Sequence, residues 1–234
     1  SAVFRYGMAS GICDNDPADV LKDVLKKPKG NHFPAVPLAD MPAYLKAIEL
    51  VDTNIQTRLA NQLVMHTFVR HADLREAIWD EFDLESATWT IPADRKKNKR
   101  NGDHIIPLTP HVLKVLSDLR ALNGHRELLF PQQKDPKKPM SEGCLRKLIE
   151  RAGYNGKMCV HGYRTIFCTA ARESGKFRNE VIESQMHHAE KNKIVDAYSR
   201  AEYLEERKEL MHWFSDWLES QLSDNVVYPY FGKG

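Results

Sequence analysis

The run His161-Gly-Tyr-Arg164, followed by the apolar stretch Thr165-Ile-Phe-Cys-Thr-Ala-Ala-Arg172, decides how this chain is interpreted. The spacing of its apolar residues predicts a helix, and residues three apart at its start share one face. A helix N-terminus presents unpaired backbone N–H groups and a partial positive charge. Histidine and arginine placed there suit an anion, phosphate above all. The stretch therefore predicts a phosphate site at the start of a helix.

Three further stretches carry residues suited to the same chemistry. Thr67-Phe-Val-Arg70 adds a second arginine, Gln185-Met-His-His188 adds two histidines, and Ala197-Tyr198-Ser-Arg200 adds a tyrosine. Arginine pairs bidentately with phosphate and keeps its charge, and histidine transfers protons near neutral pH. A tyrosine hydroxyl can form a covalent phosphate ester. These residues together predict a phosphate-cleaving site with tyrosine as the nucleophile.

Composition limits the class of protein. Of 234 residues, 42% are hydrophobic and 28% charged, as in ordinary globular proteins, and no apolar run is long enough for a transmembrane helix. The four cysteines lack CxxC spacing, which favours free thiols in a reducing cytoplasm over disulfides or a zinc site. The net charge of +2 does not predict nucleic-acid binding, but the cluster Arg95-Lys-Lys-Asn-Lys-Arg100 concentrates positive charge locally.

The chain divides by composition into a short first part, a basic and proline-rich linker, a long helical part and a tail. We place these at residues 1–30, 31–39, 40–222 and 223–234. Besides the helix after His161, helices are predicted over residues 18–25, 41–51, 54–68, 73–79, 110–122, 141–152, 178–186, 191–199 and 203–221. Strands are predicted over residues 88–92 and 104–108, around a turn that contains Asn101-Gly102.

The boxes around Arg70, His161 and Arg164, His188, and Tyr198 resemble, in this order, those of the tyrosine recombinases. The likeness is strongest to the integrases of temperate phages and integrative elements, and it covers residues 36–220. It implies a mainly α fold with a small antiparallel β-sheet (α+β), that of the tyrosine recombinase catalytic domain, over residues 40–222. Residues 1–30 would then be the C-terminal remnant of a core-DNA-binding domain.

The resemblance implies a role for each residue of the boxes. Arg70 and Arg164 would clamp the scissile phosphate. His161 and His188 would position it and assist proton transfer. Tyr198 would be the nucleophile, giving a 3′-phosphotyrosyl intermediate and a free 5′-hydroxyl.

Residues outside the boxes also receive roles from the resemblance. The general acid would be a lysine of the turn between the two strands, Lys97 counted from the first strand or Lys99 counted back from the second, and we favour Lys97. Lys96, Lys99 and Arg100 would contact DNA phosphates. Asp73 would brace Arg70 from behind.

Simpler interpretations stand beside these roles. Tyr198 alone would more often be a half-buried helix tyrosine, and Arg70 a cation at a helix end. His187 and His188, with His161 and Glu190, could be metal ligands, but adjacent histidines point in different directions on a helix, so no metal is predicted. His187 also stands where the family usually has a small residue, which predicts an altered turn before His188.

The activity that the resemblance implies is site-specific recombination by a phage or prophage integrase, with no cofactor, in the cytoplasm of a bacterial host. Its implied partners are duplex DNA carrying attachment half-sites and further copies of the chain, with a tetramer in the synapse. Whether accessory DNA-bending proteins and an excisionase take part stays open, as does whether residues 223–234 dock on a neighbouring protomer. The rivals are a type IB topoisomerase-like enzyme that nicks and reseals DNA, and a DNA-binding relative without catalysis.

Overall fold

The computed structural model describes residues 2–19, 21, 33–95, 102–187 and 203–222. The chain divides into two compact units, residues 1–32 and residues 33–234. In the first unit, helix α1 (Ala2–Ala9) ends in a turn where the Ile12 N–H donates to the Gly7 carbonyl at 2.8 Å. The predicted helix over residues 18–25 lies largely outside the described residues. The boundary between the units falls inside the predicted linker.

The described helices of the second unit are α2 (Met41–Glu49), α3 (Ile55–Thr67), α4 (His71–Arg75), α5 (Pro110–Asn123), α6 (Cys144–Arg151), α7 (Gly162–Glu173), α8 (Asn179–Gln185) and α9 (Leu204–Leu222). Side chains cap two of them: Asn54 Oδ1 accepts from the Gln56 N–H at 2.8 Å, and Thr109 Oγ1 from the Val112 N–H at 3.4 Å. Within the described ranges, no helix is long and apolar enough to cross a membrane.

Two helix predictions were wrong by three residues or more at one end. The helix predicted over residues 73–79 begins at His71 and ends at Arg75, because Ile78 is extended and pairs with Leu128 in an isolated bridge. The helix predicted from Ser141 begins at Cys144, after a turn closed by the Cys144 N–H and the Ser141 carbonyl at 3.1 Å. The helix predicted over residues 191–199 and the tail over 223–234 lie outside the described residues.

The sheet has three antiparallel strands in the order β1-β2-β3: β1 (Phe82–Asp83), β2 (Thr88–Ile91) and β3 (His104–Pro107). Both predicted strands are confirmed, and Ile91 pairs with His104 at the end nearest the turn. β1 was not predicted, because two residues are too few to show a period of two. Trp89, Ile91 and Ile106 are fully buried and fix the inner face of the sheet.

Three phenylalanines join the long helices at the centre of the second unit. Phe68 stacks on Phe167 with ring centroids 3.6 Å apart, and the ring of Phe214 meets both edge-on. Phe68 ends α3 in the left-handed conformation, with φ of 39°, and the chain then leads to Arg70. Burial of each ring contributes about 2–3 kcal/mol. This packing fixes the segment that carries Arg70 against α7, the helix that carries Arg164.

Candidate active site

Arg164 is the buried centre of the site. Its side chain lies in the first turn of α7, and the residue is 3% exposed. Nη1 donates to the Phe68 carbonyl at 2.8 Å and Nη2 donates to the Met186 carbonyl at 2.7 Å. Its guanidinium therefore joins the end of α3 to the residues that lead into His188. Burial, and then the positive charge of Arg70, lower the pKa of Arg164 to about 10.

Arg70 supplies an exposed second cation next to this buried one. It occupies the N-cap position of α4 in an extended conformation. Its charge lowers the pKa of Arg164, so the two guanidinium groups are close enough to repel each other. Two neighbouring cations, one of them buried, favour an anion that offsets both charges. The structure thus brings together two arginines that lie far apart in the sequence.

His161 stands at the N-cap position of α7 and is exposed. Its ring lies against Phe33, with centroids 4.2 Å apart. Its carbonyl accepts from the Arg164 N–H at 3.0 Å, which places both residues in the first turn of α7, as predicted. The imidazole and the guanidinium are therefore carried by the same helical turn.

Gly162→Ala is expected to lower the free energy of unfolding by about 1–3 kcal/mol, as overpacking does in well-packed sites. A Cβ at this position would lie 2.6 Å from the Pro34 carbonyl oxygen and 2.8 Å from Met158 Sδ. Urea unfolding measures the loss. Gly143→Ala is the control, because its Cβ would lie 3.5 Å from the nearest atom, on Arg146. Equal stabilities for the two variants would contradict close packing at Gly162.

Asp73 is buried in the first turn of α4. Within the described residues, its Oδ2 has no hydrogen-bond partner. Its negative charge raises the pKa of Arg164, against the larger lowering by burial and by Arg70. The predicted bracing of Arg70 by Asp73 stays a prediction. The charge interaction found here joins Asp73 to Arg164.

Arg95 has a role that the sequence did not show. The sequence groups it with the basic cluster, but its guanidinium pairs with Glu81, whose side chain is 3% exposed. Glu81 Oε2 also accepts from Trp89 Nε1 at 2.9 Å, and Arg95 Nη2 donates to the Asp73 carbonyl at 2.6 Å. These bonds tie the end of β2 to α4. The sequence feature that could have indicated this role is the acidic residue Glu81 between the aromatic residues Trp79 and Phe82.

His187 is the last described residue before His188, and the altered turn that the sequence predicts here stays a prediction. Its φ is 49°, a left-handed conformation that L-residues with side chains adopt infrequently. Its ring stacks on His104 with centroids 4.6 Å apart, and His104 Nε2 lies 3.0 Å from the Gln185 carbonyl oxygen. The stack holds the end of α8 against β3. The described residues contain no cluster of metal-ligating side chains.

The remaining predicted site residues lie outside the described residues. The turn between β2 and β3 is closed at its base, where the Ala93 N–H donates to Asp103 Oδ1 at 2.9 Å. The site residues outside the described ranges are Lys96, Lys97, Lys99 and Arg100 in this turn, and His188 and Tyr198 later in the chain. The structure therefore brings Arg70, His161, Arg164 and Asp73 into one part of the fold, and the roles of all these residues stay predictions.

Comparison with known proteins decides the family. Residues 37–205 match the family model described as the phage integrase family. The chain belongs to this family. The integrase of Enterobacteria phage P4 is 35% identical over 232 residues, covering 94% of this chain and 53% of the relative. Prophage integrase IntA of Escherichia coli (strain K12) is 32% identical over 231 residues, covering 99% of this chain and 55% of the relative.

The chain spans about half the length of these curated phage integrase relatives. Among solved structures, an integrase from mycobacterium phage Brujita superposes with a TM-score of 0.60 at 18% identity, covering 96% of this chain and 74% of that one. A lambda integrase dimer bound to a COC′ core site superposes with a TM-score of 0.55 at 17% identity, covering 86% and 56%. At these identities the likeness concerns the fold, and the predicted fold class is confirmed.

Proposed function

We propose that this chain is the catalytic part of a phage-type integrase, a site-specific recombinase that cleaves and rejoins duplex DNA to integrate or excise an element. The observation that carries the proposal is the cationic site formed by buried Arg164 and exposed Arg70. His161 is on the same helical turn as Arg164. Membership of the phage integrase family and the names of the relatives support the same function.

The proposed cleavage transfers a phosphoryl group to tyrosine. The Tyr198 oxygen attacks the phosphorus, which stays bonded to the 3′-oxygen, and the bond from phosphorus to the 5′-oxygen breaks. Lys97 gives a proton to that oxygen, which leaves as a 5′-hydroxyl. Arg70 and Arg164 offset the charge on the non-bridging oxygens. His161 and His188 position the phosphate, and one of them accepts the proton that the Tyr198 hydroxyl loses. Attack by another 5′-hydroxyl reverses the step, so strands are rejoined without nucleotide hydrolysis.

A metal ion is not needed in this scheme, because fixed cations supply the charge that a metal would supply. The N–H groups of the two guanidinium groups that are not bonded within the protein provide hydrogen bonds as well as charge. We expect the covalent adduct to form at the same rate in EDTA as in Mg²⁺, within about twofold. Quantification of the adduct on denaturing gels measures both rates. Loss of the adduct in EDTA that Mg²⁺ restores would contradict the scheme.

The proposed DNA partner is a pair of inverted half-sites in an attachment site, bound by two protomers. A solved relative, the lambda integrase dimer, is bound to a core site. Two such pairs would form the tetramer that exchanges strands between two duplexes, in the cytoplasm of a bacterial host. Accessory DNA-bending proteins and an excisionase would act on that assembly.

The test of the proposed function is covalent trapping. The full-length protein is incubated with a duplex that carries the attachment core of its element and a nick next to the scissile phosphate. We expect a covalent protein–DNA adduct, because the nicked fragment diffuses away and religation stops. The topoisomerase-like rival predicts relaxation of supercoiled plasmids regardless of sequence. Relaxation without an attachment core, or no adduct at all, would overturn the proposal.

A further inference from the structure

Arg207 is a buried cation that the proposed chemistry does not use. It lies in the first turns of α9 and is 5% exposed. Nε donates to Gln185 Oε1 at 2.8 Å, and Nη2 donates to the Ile105 carbonyl. Both acceptors are neutral amide oxygens. Burial lowers the pKa of Arg207 to about 10.

Among the described residues, the hydrogen-bond acceptors of Arg207 are neutral. A buried guanidinium held by neutral acceptors costs free energy, because its charge has left water. A methionine or leucine would fill the position without that cost. We therefore expect the buried cation to have a structural role, and its hydrogen-bond partners indicate which segments it connects. Its sequence position gives a signal too, because Arg207 lies on the apolar stripe of α9, three residues after Leu204 and three before Leu210.

The two partners of Arg207 lie on segments that lead to candidate catalytic residues. Gln185 ends α8, three residues before His188, and Arg207 itself follows Tyr198. Ile105 lies in β3, which follows the turn that carries Lys97. Residues 188–202 thus run between two positions that are hydrogen-bonded to each other. The same guanidinium holds the strand beside the turn.

A second contact joins α8 to α9 at the surface and allows a comparison. Arg178, at the N-cap of α8, donates from Nη2 to Glu206 Oε1 at 2.6 Å, and its guanidinium lies 5.1 Å from the Tyr203 ring centroid. The side chains of Arg178 and Glu206 are 57% and 44% exposed. Exposed ion pairs contribute little to stability. This contact ties the same two helices without reaching β3 or Gln185.

We propose that Arg207 is a positioning residue that sets where Tyr198 and His188 stand relative to the Lys97 turn, by joining Gln185, Ile105 and the start of α9. The proposal rests on the proposed function, in which these residues act on one phosphate. In-line attack tolerates small errors in position poorly, and a displacement of about 1 Å can cost roughly 100-fold in rate. Arg207 touches none of the reacting atoms in this scheme.

Arg207→Met is expected to slow single-turnover cleavage of the nicked attachment-core duplex by about 10-fold to 100-fold at saturating protein. The Kd for the same duplex should stay within about threefold, because DNA affinity comes from phosphate contacts elsewhere. Rates come from adduct formation, the Kd from gel shifts, and folding from thermal melting. Arg178→Met is the matched control. It should cleave within about twofold of wild type.

Gln185→Met removes the acceptor of the Arg207–Gln185 hydrogen bond. It replaces Arg207→Met as the test if that variant does not fold. It should also slow cleavage with Kd unchanged. The loss in the double variant should be smaller than the sum of the two single losses, because both substitutions remove the same Arg207–Gln185 hydrogen bond. Wild-type cleavage by Arg207→Met, equal losses in cleavage and binding, or an equal loss in Arg178→Met would overturn the inference. Absence of an adduct with the wild-type protein would instead overturn the proposed function.

Discussion

Tyr198→Phe is expected to bind the nicked attachment-core duplex like wild type and to form no covalent adduct. The substitution removes one oxygen atom, which is the atom that would attack the phosphorus. Removing a nucleophile costs on the order of a million-fold in rate, so the adduct should fall below detection. Binding should persist, since the phenyl ring is kept and DNA affinity is spread over many phosphate contacts. Denaturing gels report the adduct and gel shifts report binding.

Tyr203→Phe is the matched control for this experiment. Tyr203 lies close in sequence to Tyr198, and its ring packs under the Arg178 guanidinium. It should form the adduct at the wild-type rate. If Tyr198→Phe still traps DNA covalently and Tyr203→Phe does not, the nucleophile is Tyr203. The assignment of Tyr198 would then be wrong although the reaction class is right.

Arg164→Lys is expected to slow cleavage by about 100-fold to 1000-fold, as the loss of a donor to a developing oxyanion does. Nη1 and Nη2 of Arg164 are held by the Phe68 and Met186 carbonyls, which fixes the plane of the guanidinium. Its remaining N–H donors can then face a phosphate in a defined direction. A lysine keeps the charge and loses the planar fork. DNA binding should change by less than about fivefold.

Arg172→Lys is the control, since Arg172 lies on the same helix, with its side chain 50% exposed, and pairs with Glu183. It should cleave at the wild-type rate, because exposed ion pairs contribute little. The comparison of cleavage at saturating protein with the Kd separates chemistry from binding. Equal losses of cleavage and binding in Arg164→Lys would count against a role in the transition state. They would indicate a general loss of affinity.

The sequence by itself determined most of the described helices of the second unit, the strands on either side of the turn, and the family. Helices such as α3 and α5 follow from apolar periodicity with local capping by Asn54 and Thr109. These signals are local, since they need residues within one or two turns. The order of the boxes around Arg70, Arg164 and Tyr198 was sufficient to indicate a tyrosine recombinase. The family match over residues 37–205 confirmed that resemblance.

Tertiary structure alone decided which charged side chains are buried and which elements they connect. The sequence alone indicates that Arg95 is one more cation of a basic cluster and that Arg207 is part of an amphipathic helix. The partners of Arg207, Gln185 and the Ile105 carbonyl, lie on other elements, and no local period predicts them. Likewise, Arg70 and Arg164 become electrostatic neighbours only when α3 and α7 pack through Phe68 and Phe167. Contacts between distant segments depend on how whole helices pack, and local spacing in the chain does not encode that packing.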